Sequence, residues 1–318
     1  MRSAIRSQKA MNPIILYRQS VMEQAELDAA KQYFTCVDSI VDVPDGSLII
    51  ARYSVLPFYK EVERDLLKRG SKLLNTYHQH RFVADLGNYT ELLGDLTPHT
   101  YLLEDTPDTG PFVVKGETNS KRSLWKTHMY AANRQEAIQV ACRLMEDSLI
   151  SEQRIYVRDF VPLETFGVGV DSVPIAREFR FFVLDGAVLC GAYYWANHTE
   201  FLTEHNIPTP RAEEVPLEFL KRVTESVGAN IRFYVIDVAK TASGEWIVVE
   251  LNDGQQSGLS ENEPEKLYGA LATHLRDDLC LTCKKNRGEA RYDEGLACGR
   301  HCDTCWGAML AECRSRSW

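Results

Sequence analysis

The chain has no apolar run approaching the ~18 residues needed to span a bilayer. Met1 to Ala10 is basic and polar with no apolar stretch behind it, so a secretory leader is not expected and a reducing cytoplasm is. Positive charge is in deficit. Lys and Arg number 36 against 45 Asp and Glu, a net charge of −9. A protein that coats nucleic acid needs the opposite balance. There is no internal repeat and no low-complexity tract. Nothing reads G-x-x-x-x-G-K-[ST], and no G-x-G-x-x-G follows the first strand-like segment, so a bound nucleotide would be held by neither common phosphate loop. Cysteine is scarce over most of the length. Only Cys36, Cys142 and Cys190 precede residue 280, whereas Cys280, Cys283, Cys298, Cys302, Cys305 and Cys313 crowd the remainder.

The rest is an ordinary globular composition, 44% hydrophobic and 25% charged over 318 residues. That length predicts about two domains, or one enzyme core with an appendage. Short apolar strands at Pro13–Tyr17, Ser47–Ala51 and Lys72–Asn75 alternate with helical segments at Glu23–Tyr33, Pro57–Gly70 and from about His80 to Leu93. This alternation predicts an open α/β layer. Pro111–Lys115 and Arg154–Phe160 read as strands around a helix at Arg134–Asp147. Glu178–Leu184 and Ala187–Tyr194 flank Asp185-Gly186, a strong hairpin signal. A helix at Pro216–Val227 precedes a second hairpin, Arg232–Lys240 with Glu245–Leu251, and a helix at Pro264–Leu279 closes the series.

Chemistry concentrates in the second hairpin. Glu250 and Asn252 are two apart on a strand and share a face, and an antiparallel neighbour can bring Asp237 beside them. Two carboxylates and an amide oxygen suit Mg²⁺, which prefers oxygen ligands. A solvated acidic face is the plain alternative. Lys115 ends an apolar strand, where its stem can pack while the ammonium reaches a phosphate. Gly116–Lys126 follows, polar and bearing Lys121, Arg122 and Lys126. Arg177 and Arg180 are three apart at the start of a strand, so one is expected to contact ligand and the other to be structural. Arg18 and Arg52 follow N-terminal strands, where an open sheet places its ligand, and are expected to bind an anionic substrate group.

Taken in order, Leu73-Leu74-Asn75, Thr97-Pro98-His99-Thr100, Val113-Val114-Lys115-Gly116, Ile155–Pro162, Arg180 in an Asp-Gly hairpin, Asp237 and Glu250-Leu251-Asn252 resemble the ATP-grasp superfamily. The chain is especially similar to a clade named for two arginines and one lysine. The resemblance covers roughly residues 13 to 275 and implies an α+β fold. Its expected divisions are a disordered start (1–12), an N-terminal α/β subdomain (13–96), a lid (97–162), a C-terminal subdomain (163–275) and a cysteine module (276–318). It also implies ATP between two subdomains, with Lys115 and Lys126 near phosphate. Backbone groups of a hinge strand near Tyr156 to Phe160, Tyr156 and Val157 among them, would meet adenine, and Asp159 or Glu164 the ribose. Mg²⁺ would lie on Asp237, Glu250 and Asn252, Arg180 would steady the transferred phosphoryl group, and Gln255 and Ser257 would border the acceptor pocket.

The implied activity is ADP-forming ligation of a carboxylate to an amine on an amino acid, peptide or protein. A phosphotransferase on the same fold, or a non-catalytic binding module, is the alternative. One departure stands out. The stretch Ala84-Asp85-Leu86-Gly87-Asn88 lacks the family's lysine, leaving Arg81 or Lys126 to replace it.

Cys280-x-x-Cys283 and Cys302-x-x-Cys305 have the spacing of a four-thiolate zinc site, with Cys298 and His301 as alternative ligands. Such a site would be structural, because four protein ligands leave no open position, with an iron–sulfur cluster as the alternative that four thiolates also suit. Interleaved cations and Trp306 and Trp318 suit docking of a protein or nucleic acid, or a solvated face over a small core. A strong chelator should therefore release zinc, expose the four thiols to a thiol reagent and lower the circular dichroism of the tail. Thiol reactivity and dichroism indifferent to the chelator would rule the site out.

Overall fold

The computed structural model describes residues 11–118, 120–121, 124–168, 174–196, 199–276, 289–293 and 296–301. The chain forms two compact units. The first takes the chain up to Ala51, Glu61–Leu73 and the chain from Pro264 onward, and the second takes Arg52–Lys60 and Leu74–Glu263.

In the first unit, β1 (Asn12–Leu16), β2 (Thr35–Val37), β3 (Ser47–Ala51) and β4 (Lys72–Leu73) form a parallel sheet in the order β2-β1-β3-β4. Helices α1 (Gln24–Tyr33) and α2 (Tyr59–Lys68) connect these strands. Every residue of β3 is buried, as the unbroken apolar run Ser47–Ala51 requires of a strand covered on both faces. Strand β1 begins at Asn12, inside the stretch expected to be disordered, and residues 1–10 lie outside the described residues.

The second unit carries two antiparallel sheets. Helices α3 (Tyr77–Ala84) and α4 (Leu86–Leu93) lead into them. The sequence predicts one helix here. The structure has two, because Asp85 interrupts the first and caps the second through Gly87 N (3.0 Å). Strands β5 (Thr100–Leu102), β6 (Thr109–Gly116), β7 (Tyr130–Asn133) and β8 (Ile155–Asp159) form a sheet ordered β5-β8-β6-β7, with α5 (Trp125–His128) and α6 (Arg134–Met145) between β6 and β8. Phe112, Val114, Ile155 and Val157 pack with Ala137, Val140, Ala141 and Leu144 of α6. Because strand side chains alternate, Val113, Lys115, Tyr156 and Arg158 take the opposite face.

A small hairpin of β9 (Thr165–Val168) and β10 (Pro174–Ala176) precedes the second sheet. That sheet comprises β11 (Glu178–Leu184), β12 (Ala187–Tyr193), β13 (Phe233–Lys240) and β14 (Trp246–Asp253) in the order β12-β11-β13-β14. Helices α7 (Thr199–Glu204) and α8 (Leu217–Val227) lie between β12 and β13 in the chain. The Asp185-Gly186 turn has positive φ at both residues, as a type I′ hairpin demands. Phe179, Phe181, Val183, Tyr234, Ile236, Val238 and Leu251 form one face over a core shared with α4 and α8. Glu178, Arg180, Phe182 and Asp237 alternate onto the other.

The chain returns to the first unit in α9 (Pro264–Arg276), which packs on α1 through a Tyr268–Glu26 hydrogen bond of 2.7 Å. A hairpin of β15 (Glu289–Asp293) and β16 (Leu296–His301) follows, paired Glu289 to His301 with Cys298 as the bulged residue. The expected zinc ligands Cys280, Cys283, Cys302 and Cys305 lie outside the described residues. Among the described residues no helix is long and apolar enough to cross a membrane.

The sequence predicts a strand that ends at Asn75. The strand stops at Leu73, and the buried Asn75 side chain instead brackets Phe233 at the start of β13, accepting from its N (2.9 Å) and donating to its O (2.6 Å). It also donates to Asp253 (2.7 Å). Asn75→Ala removes three partners and orphans buried groups, so it should cost about 2–4 kcal/mol of unfolding free energy. Asn75→Asp should do no better, since it sets a second carboxylate against Asp253. Denaturant midpoints measure both, and a shift below about 0.5 kcal/mol would refute the bracket.

Candidate active site

The antiparallel registers place Arg180, Asp237 and Glu250 in one row across β11, β13 and β14. Asp237 has no solvent exposure. Both of its oxygens accept from Arg180, from Nε at 2.8 Å and Nη2 at 2.7 Å. Burial works against the Arg180 charge, but the Asp237 carboxylate and its hydrogen bonds outweigh it and hold the guanidinium above its ordinary range. At the far end of the row Glu250 accepts from Lys115 of β6 in the other antiparallel sheet. Two carboxylates thus meet two cations. Asn252 is half-buried and follows Glu250 on the same face, opposite Val235.

A cleft of about 250 Å³ opens beside this row. Lys115, Arg158 and Glu250 line it together with Asp159, Phe160, Pro162, Leu163, Trp125, Met129, Ile247 and Glu178. Its size is near the low end of the ~300–1,000 Å³ typical of ligand clefts, and its walls are mainly apolar with convergent charges, as such sites usually are. Arg158 is the least expected member. It is 6% exposed and donates to Val249 O (2.8 Å) and Thr97 Oγ1 (2.7 Å), while its Nε is buried without a partner. Burial pushes this guanidinium below its ordinary range, with Tyr89 and Glu250 acting the other way. A buried, incompletely bonded cation in a cleft suits an anionic ligand. The strand pattern Arg154–Phe160 carries the missed signal. Alternation puts Arg158 with Tyr156, on the face opposite Val157.

Of the strand expected to meet adenine, Phe160 lines the cleft. Tyr156 and Val157 lie mid-strand, with β5 on one side and β6 on the other, so their backbone groups serve the ladders. Neither lines the cleft, and the Tyr156 hydroxyl bonds Asp85 (3.0 Å). Phe160 to Leu163, which follow β8, line the cleft. Of the two ribose candidates, Asp159 lines the cleft. Glu164 is tied to Arg177 (2.7 Å) and Lys240 (3.2 Å). Burial alone would raise the Glu164 pKa, but these two cations outweigh it and lower it. Arg177 also pairs with Glu214 and covers the Phe166 ring, which makes it a structural clamp. Lys126 is exposed and does not line the cleft.

Gln255 and Ser257 are buried and bond within the protein, Gln255 to Tyr59 (3.0 Å) and Ser257 to Asp253 O (2.8 Å). Arg52, expected to meet an anion, donates instead to Gly254 O and Ser257 O. Arg18 is exposed after β1 in the first unit. Among the described residues no group of three His, Cys, Asp or Glu is placed to hold a metal. Glu250 and Asn252 still offer oxygens suited to Mg²⁺. Asp237 could join only with lone pairs that Arg180 does not occupy.

A family model described as ATP-grasp domain, R2K clade family 3, matches residues 103–271. No curated protein matches. The fold is similar to that of D-cycloserine synthetase DcsG, with TM-score 0.53, 12% identity, and coverage of 83% of this chain and 100% of that one. It is also similar to ATP-grasp ligase PsnB complexed with minimal precursor (TM-score 0.50, 11% identity, 83% and 98%). PsnB complexed with precursor peptide PsnA2 and AMPPNP is similar too (TM-score 0.50, 10% identity, 84% and 97%). At these identities the likeness is one of fold.

Breaking the buried pair should be costly. Arg180→Met or Asp237→Leu alone should destabilise by about 3–5 kcal/mol, whereas the double variant should recover much of the loss. A double-mutant cycle on denaturant midpoints measures this. Additive single effects would mean the two groups are not coupled.

Proposed function

Because the chain belongs to the ATP-grasp family of the R2K clade, we propose that it is an ATP- and Mg²⁺-dependent carboxylate–amine ligase. The observation that carries the reading is the cleft itself. Lys115 and the under-bonded Arg158 on one sheet face Glu250 on another, so cations for phosphate stand against oxygens for a metal.

In this reading Lys115 and Arg158 bind the phosphates. Val161, between Phe160 N bonded to Pro111 O and Pro162 O bonded to Ala242 N, offers backbone groups to the base, with Trp125, Met129 and Ile247 as its apolar walls. Asp159 or Glu178, both lining the cleft, would take a ribose hydroxyl. Glu250 and Asn252 would hold Mg²⁺, which supplies charge neutralisation at the phosphates. Arg180, fixed by Asp237, aims charge at the transferred group without having to reorganise. The substrate carboxylate oxygen bonds to the γ-phosphorus as the bond to ADP breaks. An amine then attacks the acyl carbon, phosphate leaves, and the amine loses a proton. The substrate class is an amino acid, peptide or protein. The cysteine tail is read as a zinc module on its spacing alone.

Incubation with Mg-ATP and pools of amino acids and short peptides tests the reading. ADP and phosphate should form only with a pool that contains substrate. Glu250→Gln and Arg158→Met should each lower that turnover about 10²-fold or more, as loss of a preorganised charge at a transition state does. AMP with pyrophosphate would mean adenylation instead. A phosphorylated product without amide would mean a phosphotransferase. No binding of Mg-ATP at all would favour a non-catalytic binding module.

A further inference from the structure

We propose that Arg52 is a positioning residue for the acceptor side of the site: it holds the loop Gly254–Gly258 in shape and does not itself bind a substrate anion. This rests on the ligase reading above.

The loop starts two residues after Asn252. Arg52 is 6% exposed, and its two terminal nitrogens donate to Gly254 O and Ser257 O. Its guanidinium carbon lies 5.9 Å from the centre of the Phe182 ring. Gly258 O accepts from Arg180 Nη1 (3.0 Å), the same guanidinium that grips Asp237. Asp253 secures the start of the loop, its Oδ1 accepting from Gln255 N (2.9 Å) and its carbonyl from Ser257 Oγ (2.8 Å). Three carbonyls of a five-residue loop therefore point at two guanidiniums.

A trans peptide is planar with its C=O and N–H opposed, so aiming the carbonyls also aims the N–H groups that follow them. The loop is thereby joined, through Gly258 O, to Arg180 at the end of the row away from Glu250. The planar guanidinium spans two carbonyls at once. A lysine ammonium at the same place keeps the charge but loses that fixed fork. This distinguishes positioning from anion binding. A point charge for a substrate anion would largely survive Arg52→Lys and would act on KM, whereas a fork that orients a loop would not survive it and would act on kcat.

The test uses the full chain with Arg52→Ala and Arg52→Lys. Calorimetry with Mg-AMP-PNP should give affinities within about threefold of the unsubstituted protein. Hydrogen exchange followed by mass spectrometry should quicken about tenfold or more in peptides covering 253–260 and stay unchanged elsewhere. With the substrate pool, kcat should fall about 10²-fold with KM changed far less, as a small misplacement near the reacting groups can produce. Arg52→Lys should resemble Arg52→Ala, and added guanidinium ion should partly restore Arg52→Ala. Unchanged exchange across 253–260 would overturn the proposal. So would an Arg52→Lys protein that keeps kcat and only raises KM. A wild-type chain that neither binds Mg-AMP-PNP nor turns over would bring down the ligase reading instead, and this role with it.

Discussion

Asp237 sits where water does not reach, so its charge is tolerable only because Arg180 approaches from the next strand with two aligned hydrogen bonds. That pairing depends on the ladder. Arg180 and Asp237 are direct partners in the β11–β13 register, and a one-residue slip would turn both away from each other. The pair therefore specifies the register of the sheet that carries Glu250 and Asn252. It also holds Gly258 O, so the loop after the metal-type residues inherits its place from the same guanidinium.

The second consequence is electrostatic. Lys115 and Glu250 neutralise one another, as Arg180 and Asp237 do. Under the ligase reading, a nucleotide phosphate that draws Lys115 away leaves Glu250 uncompensated, and a divalent cation is the natural replacement. A metal on Glu250 likewise frees Lys115 for phosphate. Each ligand then removes an obstacle to the other, which is thermodynamic coupling.

How much of this was legible in the sequence depended on the range of the interaction. The Asp-Gly turn was, because its φ demands are local. So was the orientation of Lys115, because Val114 beside it must face α6. The shared face of Glu250 and Asn252 follows from strand period alone. The partnership of Arg180 with Asp237 was not legible, since it requires knowing which of two strands meet and in what register. Tyr156 and Val157 misled for a related reason. A strand with ordinary alternation does not reveal that both of its edges are paired, and here β5 and β6 take every backbone group that a base might have used. Arg52 looked like a ligand residue because it follows a strand, and it proved to be tied to two carbonyls more than two hundred residues away in the chain.

The absence of a lysine from Ala84–Asn88 makes sense against the same geometry. Asp85 is committed to capping α4 and to the Tyr156 hydroxyl, and Arg81 is drawn to Glu117 (3.0 Å) and Asp85 (3.7 Å). That corner is tied together by its own ion pairs and has no cation to lend. Lys126 is exposed and does not line the cleft. Arg158 lines the cleft, and its environment suits an anion. Its two amino groups are already anchored to Val249 O and Thr97 Oγ1, so its plane is fixed before any ligand arrives. Its pKa is depressed by burial, and an incoming phosphate would relieve that penalty by supplying the missing counter-charge. A cation that is held rigidly and is electrostatically short of a partner gains more from an anion than a flexible, hydrated one does. Under the ligase reading, Arg158 is placed to meet a nucleotide phosphate in a chain that lacks the family's helix lysine.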